Sequence, residues 1–117
     1  MPRQIVRFLV LIPLLYCTGT TYAEGILVRG VGTFSCGKYL QLRGTGDATH
    51  DLAVVSWVWG YIAGFNMEAH QPATRETPDA PSTLAFIDKY CKDHPLDSVV
   101  IATNVLLQEL GGLRNPR

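Results

Sequence analysis

The sequence predicts an all-α fold: a small four-helix domain that is stapled by a disulfide bond and follows a cleaved signal peptide. Two observations support this prediction. Four segments place apolar residues at helical spacing and are separated by glycine- or proline-containing breaks. Removal of an N-terminal leader would also leave an even pair of cysteines, Cys36 and Cys91, in residues 24–117, a length that fits one domain.

Residues 1–23 are predicted to be a secretory signal peptide. Two arginines precede the apolar run 8–16, and Thr21 and Ala23 supply small side chains three residues and one residue before a cut ahead of Glu24. The apolar run is much shorter than the roughly 20 residues that a helical membrane span requires. A membrane anchor and lipid attachment at Cys17 are the alternatives. We therefore expect a protein that is periplasmic or secreted.

The first two helices of the exported chain follow clear start signals. Residues 24–34 are glycine-punctuated and predict a short strand or an extended arm that lies on the core. Ser35 is a candidate N-cap for the first helix. The second helix is long and apolar, starts at Asp47 or Thr49, and runs to about residue 70.

The last two helices follow a proline-rich connection. Ser82 is the candidate cap of the third helix, and Asp97 is the candidate cap of the fourth. Two i,i+4 ion pairs are expected on the third helix, Asp88 with Lys92 and Lys89 with Asp93. The fourth helix is predicted to stop at the glycine pair 111–112, and residues 112–117 are predicted to form a flexible tail.

Residues 56–66 of the second helix read SWVWGYIAGFN and carry no charge. Ser56, Gly60 and Gly64 are spaced four residues apart and would form a stripe of small side chains on one helix face. Because a glycine inside a helix costs about 1 kcal/mol relative to alanine, we expect another helix to approach this stripe closely. A membrane span and an aromatic ligand box are the alternatives to a central core helix.

Cys36 and Cys91 are predicted to form a structural disulfide bond. The bond would close a loop of about 55 residues, which the chain-entropy model values at about 4 kcal/mol of stability. A redox pair and a metal site are the alternatives, but the chain has no C-x-x-C motif.

The candidate catalytic side chains form no recognisable constellation. His50, His70 and His94 lack metal-ligand spacing, and Asp47 and Asp51 lie where helix-start aspartates act as caps. We therefore predict no catalytic residues, no metal and no cofactor. Loss of two arginines with the leader leaves eight basic and ten acidic residues, a net charge of about −2, which disfavours nucleic-acid binding.

The polar, proline-stiffened loop 71–81 is the candidate partner-binding loop, with Arg75, Glu76 and Asp79 as its candidate contact residues. A stiff loop on a stapled scaffold reduces the conformational entropy lost on binding. The alternative is a plain connector between two helices.

Three stretches, FSCGKYL, SWVWGYIAGFN and FIDKYCKDHP, resemble the small exported helical proteins of the HdeA/HdeB acid-stress chaperone type. That resemblance implies a disulfide between the first-helix cysteine and the later-helix cysteine, here Cys36 and Cys91. The stretch from Gly60 to Gly64 is also similar to the core helix of the Rap/Tai immunity proteins of type VI secretion.

We therefore expect a non-enzymatic protein-binding domain that acts on unfolded clients as an acid-stress chaperone. Protonation of Asp88, Asp93 and Asp97 would remove pair and cap interactions and expose apolar surface. An immunity protein that neutralises a secreted toxin is the second hypothesis, and a small hydrolase or ligand carrier is the third. A homodimer is compatible with all three.

Overall fold

The computed structural model describes residues 27–69 and 76–112, and this part of the chain confirms the all-α prediction. A 3-10 turn precedes four α-helices, and no β-strand occurs in the two described ranges. The elements are the N-terminal turn (Gly30–Thr33), α1 (Cys36–Arg43), α2 (Ala48–Glu68), α3 (Ala80–Asp93) and α4 (Val99–Glu109). The predicted leader and most of the predicted tail lie outside the described residues.

The starts of α1 and α2 agree with the sequence. The hydroxyl of Ser35 accepts a hydrogen bond from the backbone N–H of Lys38, and the carboxylate of Asp47 accepts one from Thr49. Each bond satisfies a backbone donor that has no partner within the helix. The prediction for the start of α2 left open Asp47 or Thr49, and Asp47 is the cap.

The two predicted caps of the later helices are wrong. α3 begins two residues before Ser82, and Asp79 caps it by accepting a hydrogen bond from the Ser82 N–H at 2.7 Å. The helix can start this early because Pro81 occupies its first turn, where a missing N–H costs nothing. At the start of α4 the carboxylate of Asp97 accepts a hydrogen bond from the Tyr90 hydroxyl instead of capping the helix.

The core lies where the four helices meet, around the disulfide bond. Cys36 and Cys91 are both fully buried, with a Cα–Cα distance of 4.8 Å, so the predicted bond is confirmed and joins α1 to α3. The buried side chains around it come from every helix: Tyr39, Val54, Val58, Ile62, Ile87, Val99, Ala102, Leu106 and Leu107. None of the helices in the described ranges is long and apolar enough to cross a bilayer.

The small-residue stripe of α2 points away from this core. Ser56, Gly60 and Gly64 are exposed, and a Cβ atom added at either glycine would meet no other atom within 4 Å. The prediction that another helix approaches the stripe is therefore wrong for the described part of the chain. The face of α2 that carries Val54, Val58 and Ile62 packs inward instead, because its aliphatic side chains bury more apolar area than glycine can.

The glycine-rich segment before α1 contains a turn where we predict a strand or an extended arm. Gly30 has a φ of +78°, a conformation that glycine adopts without strain. Gly32 is buried beneath Trp57, where an added Cβ would lie only 2.6 Å from the indole Cε2. The Trp57 Nε1–H also donates to the carbonyl of Arg29 at 2.9 Å. Trp57 therefore links the N-terminal turn to α2 through both packing and a hydrogen bond.

Candidate functional site

The candidate site is a charged cluster in which one arginine joins three helices. Arg43 of α1 donates to Asp88 of α3 through Nε at 3.0 Å and through Nη2 at 2.8 Å. Its Nη1 donates to Asp51 of α2 at 2.6 Å. Paired hydrogen bonds between a guanidinium and a carboxylate are directional as well as charge-assisted. We call these residues, together with Tyr39, the arginine cluster.

Tyr39 completes the cluster from beneath. Its hydroxyl donates to Asp88 Oδ1 at 2.7 Å, and the residue is fully buried. Burial and the hydrogen bond to Asp88 both raise the pKa of Tyr39, because ionisation would place a second negative charge beside a carboxylate. Tyr39 therefore remains a hydrogen-bond donor to Asp88 over the physiological pH range.

The pKa of Asp88 reflects two opposing effects. Burial favours the neutral acid and pushes the pKa upward, but the hydrogen bonds from Arg43 and Tyr39 and the charges of Arg43 and Lys92 outweigh it. The pKa of Asp88 is therefore lowered. The hydrogen bonds to Asp88 and Asp51 raise the pKa of Arg43, so the guanidinium keeps its charge even in strongly basic solution. Like any arginine, it is also charged throughout the acidic range.

The cluster is only partly shielded from water. The side chains of Arg43, Asp51 and Asp88 are 24%, 28% and 23% exposed. A shallow surface groove of about 380 Å³ runs past Asp88 and is bordered by Lys92. The ion pairs of the arginine cluster are therefore stronger than those of a fully solvated pair. Protons in solution still reach Asp88 directly.

Two buried polar atoms lack a hydrogen-bond partner among the described residues: Asp51 Oδ1 in the cluster and His50 Nε2 beside it. The His50 ring lies 6.1 Å from the Tyr39 ring, centroid to centroid. His50, which we considered as a catalytic candidate, therefore lies at the edge of the arginine cluster. Asp51 pairs with Arg43, whereas Asp47 is occupied as a helix cap. Asp51 therefore belongs to the arginine cluster, and Asp47 caps α2.

The expected ion pairs of α3 are only partly present. Lys89 and Asp93 pair at 2.9 Å on the exposed side of the helix, as the spacing predicts. Asp88 forms its salt bridge with Arg43 of α1, although the charge of Lys92 contributes to the lowered pKa of Asp88. The i,i+4 spacing rule therefore identifies the exposed pair within α3 but misses the ion pair between α1 and α3.

The predicted partner-binding loop is described only at its end. Arg75 lies outside the described residues, and Glu76 is exposed. Hydrogen bonds with Ser82 lower the pKa of Asp79, which is consistent with its place as the cap of α3. The role of this loop in binding therefore stays a prediction.

No group of three or more His, Cys, Asp or Glu side chains that could hold a metal ion occurs in residues 27–69 and 76–112. Comparison of the chain with protein-family models, with curated proteins and with solved structures gives no significant match. The resemblances to HdeA/HdeB and Rap/Tai proteins stay predictions. The described structure defines an all-α, disulfide-linked domain with an arginine cluster that joins three of its helices.

Proposed function

We propose that this protein is an exported, non-enzymatic chaperone that binds unfolded proteins under acid stress. The observation that carries the proposal is the arginine cluster, which joins α1, α2 and α3 through the carboxylates Asp51 and Asp88. Protonation of Asp88 removes the charge that faces the Arg43 cation on α3, in a partly buried place. Packing between the helices then weakens in acid, and apolar side chains become available to clients.

The lowered pKa of Asp88 gives the direction of the pH effect. A carboxyl group whose folded pKa is lowered contributes stability that is present above its unfolded pKa of about 4. That contribution is lost as the pH falls through the lower, folded pKa. Stability should therefore decrease below about pH 4, and the protein should be firmly folded at neutral pH.

The disulfide bond limits how far the helices can separate. Cys36 and Cys91 hold α1 and α3 together whatever the protonation state of the cluster. An acid form would therefore keep a linked pair of helices while the faces that pack on them loosen. The inner face of α2, with Val54, Val58 and Ile62, is apolar surface that such loosening would expose.

Client aggregation tests the proposal. An acid-labile enzyme is brought to about pH 2.5 with or without the purified protein, and light scattering is recorded before and after neutralisation. We expect suppression in acid and none at neutral pH. Absence of suppression, with a circular dichroism spectrum that does not change between the two pH values, would remove the proposal.

Two variants connect the activity to the cluster. Asp88→Asn removes the negative charge next to Arg43 at every pH, so suppression should begin at a higher pH than in the unaltered protein. Asp93→Asn is the matched control, because Asp93 lies on the same helix in an exposed pair with Lys89 and should leave the pH of onset unchanged. One tight partner captured at neutral pH, together with no activity in acid, would favour the immunity hypothesis.

A further inference from the structure

The surface groove beside Asp88 brings two cations to one carboxylate. Its volume is about 380 Å³, and its walls include Arg43 of α1 together with Asp88 and Lys92 of α3. Arg43 donates to Asp88 through Nε and Nη2, and the charge of Lys92 also stabilises the ionised form of this carboxylate. Asp88 is therefore the counter-ion that the protein itself supplies to both cations.

The charges around this groove balance only while Asp88 is ionised. From α1 its carboxylate faces Arg43 and the hydroxyl of Tyr39, and on its own helix it faces Lys92. The carboxylate of Asp51 on α2 bonds to Nη1, at the other end of the guanidinium. Within the described residues α4 adds no salt bridge to Asp88. Two cations thus face two carboxylates, and a proton on Asp88 leaves one positive charge unbalanced.

We propose that this groove binds a small oxyanion, of the class to which sulfate and phosphate belong, when Asp88 is protonated. The oxyanion then replaces the Asp88 carboxylate as the counter-ion of Arg43 and Lys92. A guanidinium offers parallel N–H donors to a pair of oxygens, as Arg43 does to Asp88, so an oxyanion fits this site better than a halide does. At neutral pH the ionised carboxylate repels anions and occupies the same donors, so the site is closed.

The proposed site lies between the two helices that the disulfide bond joins. Arg43 belongs to α1, whereas Asp88 and Lys92 belong to α3. A loosened α2 would therefore leave both cations on helices that stay linked. The other charged pair on this side of α3, Lys89 with Asp93, is balanced within itself at 2.9 Å. Binding requires only a proton on Asp88, so it does not depend on whether the protein binds unfolded clients.

An anion that binds only when Asp88 is protonated must, by reciprocity, make that protonation easier. The experiment follows the side-chain carboxyl carbon of Asp88 by NMR during acid titrations in sodium chloride and in sodium sulfate of equal ionic strength. The proton affinity of Asp88 should be about fivefold higher in sulfate, at the low end of ordinary coupling between sites. General stabilisation of the fold by sulfate acts in the opposite direction, because the folded protein holds the pKa of Asp88 down.

Two lysine variants connect the sulfate effect to the groove. Lys92→Gln removes one of the two cations and should largely abolish the effect at Asp88. Lys38→Gln is the matched control and should keep it, because this exposed lysine of α1 lies over the Phe34 ring and does not line the groove.

Three results would each overturn the proposal: equal proton affinity of Asp88 in the two salts, an increase of the same size at the exposed Asp93, or a full sulfate effect in Lys92→Gln. A sulfate effect at Asp88 without protection of clients in acid would support the anion site and remove only the proposed chaperone function.

Discussion

Replacement of Asp88 by asparagine is the most direct perturbation of the arginine cluster. The carboxylate accepts two hydrogen bonds from Arg43 and one from Tyr39. Asparagine has nearly the same size but no charge. Its side-chain amide keeps one acceptor oxygen and has an NH₂ donor in place of the other. One side of the guanidinium fork therefore loses its partner and faces another donor.

The expected cost at neutral pH follows from the burial of the pair. Loss of one partner from a fully buried ion pair costs about 3–5 kcal/mol, whereas an exposed pair contributes under about 1 kcal/mol. The Asp88 side chain is 23% exposed, and Arg43 keeps its bond to Asp51. We therefore expect Asp88→Asn to lower the free energy of unfolding by about 2–3 kcal/mol.

Urea unfolding as a function of pH separates this explanation from a purely steric one. Below the folded pKa of Asp88 the unaltered protein also carries a neutral side chain there, so its advantage over Asp88→Asn should shrink as the pH falls through that lowered pKa. Asp93→Asn should follow the unaltered protein throughout, because its pair with Lys89 is exposed. Equal stability at pH 7, or a difference that persists undiminished in strong acid, would refute the reasoning.

Three other perturbations have defined outcomes. Gly32→Ala should lower the free energy of unfolding by about 3 kcal/mol and shift tryptophan emission to the red, because its Cβ would overlap the Trp57 ring. Replacement of Cys36 and Cys91 together by alanine should cost about 4 kcal/mol, measured by urea unfolding, since the bond closes a 55-residue separation. Stability should also fall above about pH 10, because Tyr39 ionises more readily in the unfolded chain than in the folded protein, where its pKa is raised. Tyr39→Phe should remove that part of the loss. Absorbance at 295 nm measures the ionisation of tyrosine.

The features that the sequence predicts correctly depend on local chemistry. Ser35 and Asp47 each lie directly before a helical segment, and their side chains reach backbone donors two or three residues ahead. Lys89 and Asp93 are four residues apart on one exposed helix side. The disulfide prediction required only that two cysteines remain in one small exported domain. None of these inferences needed the arrangement of the helices.

The inward face of α2 could not be predicted in the same way. Apolar residues occur all around this helix, so their periodicity does not single out one side. The small-residue stripe is compatible with a close contact inside the chain or with one between chains, and the spacing of Ser56, Gly60 and Gly64 is the same in both cases. Only the position of the other helices shows that the stripe faces outward.

The arginine cluster depends on how α1 and α3 lie against each other, and one signal in the sequence bears on that. Tyr39 lies three residues after Cys36, and Asp88 lies three residues before Cys91. A bond between the cysteines of two antiparallel helices brings those two positions to the same side, one turn away from the sulfurs. If the disulfide is assumed, the contact between Tyr39 and Asp88 can therefore be predicted from the sequence. The hydrogen bond from Arg43 to Asp51 cannot be predicted in this way, because it depends on how α2 lies against α1.

The disulfide and the cluster together determine which helix is freed by acid. Both the covalent bond and the polar contacts of Asp88 join α1 to α3, so protonation of Asp88 weakens the polar contacts between those helices and leaves the covalent bond intact. The link from Arg43 to α2 has no covalent counterpart among the described residues. The helix whose contact with α1 acid loosens first should therefore be α2, whose inner face, with Val54, Val58 and Ile62, is apolar.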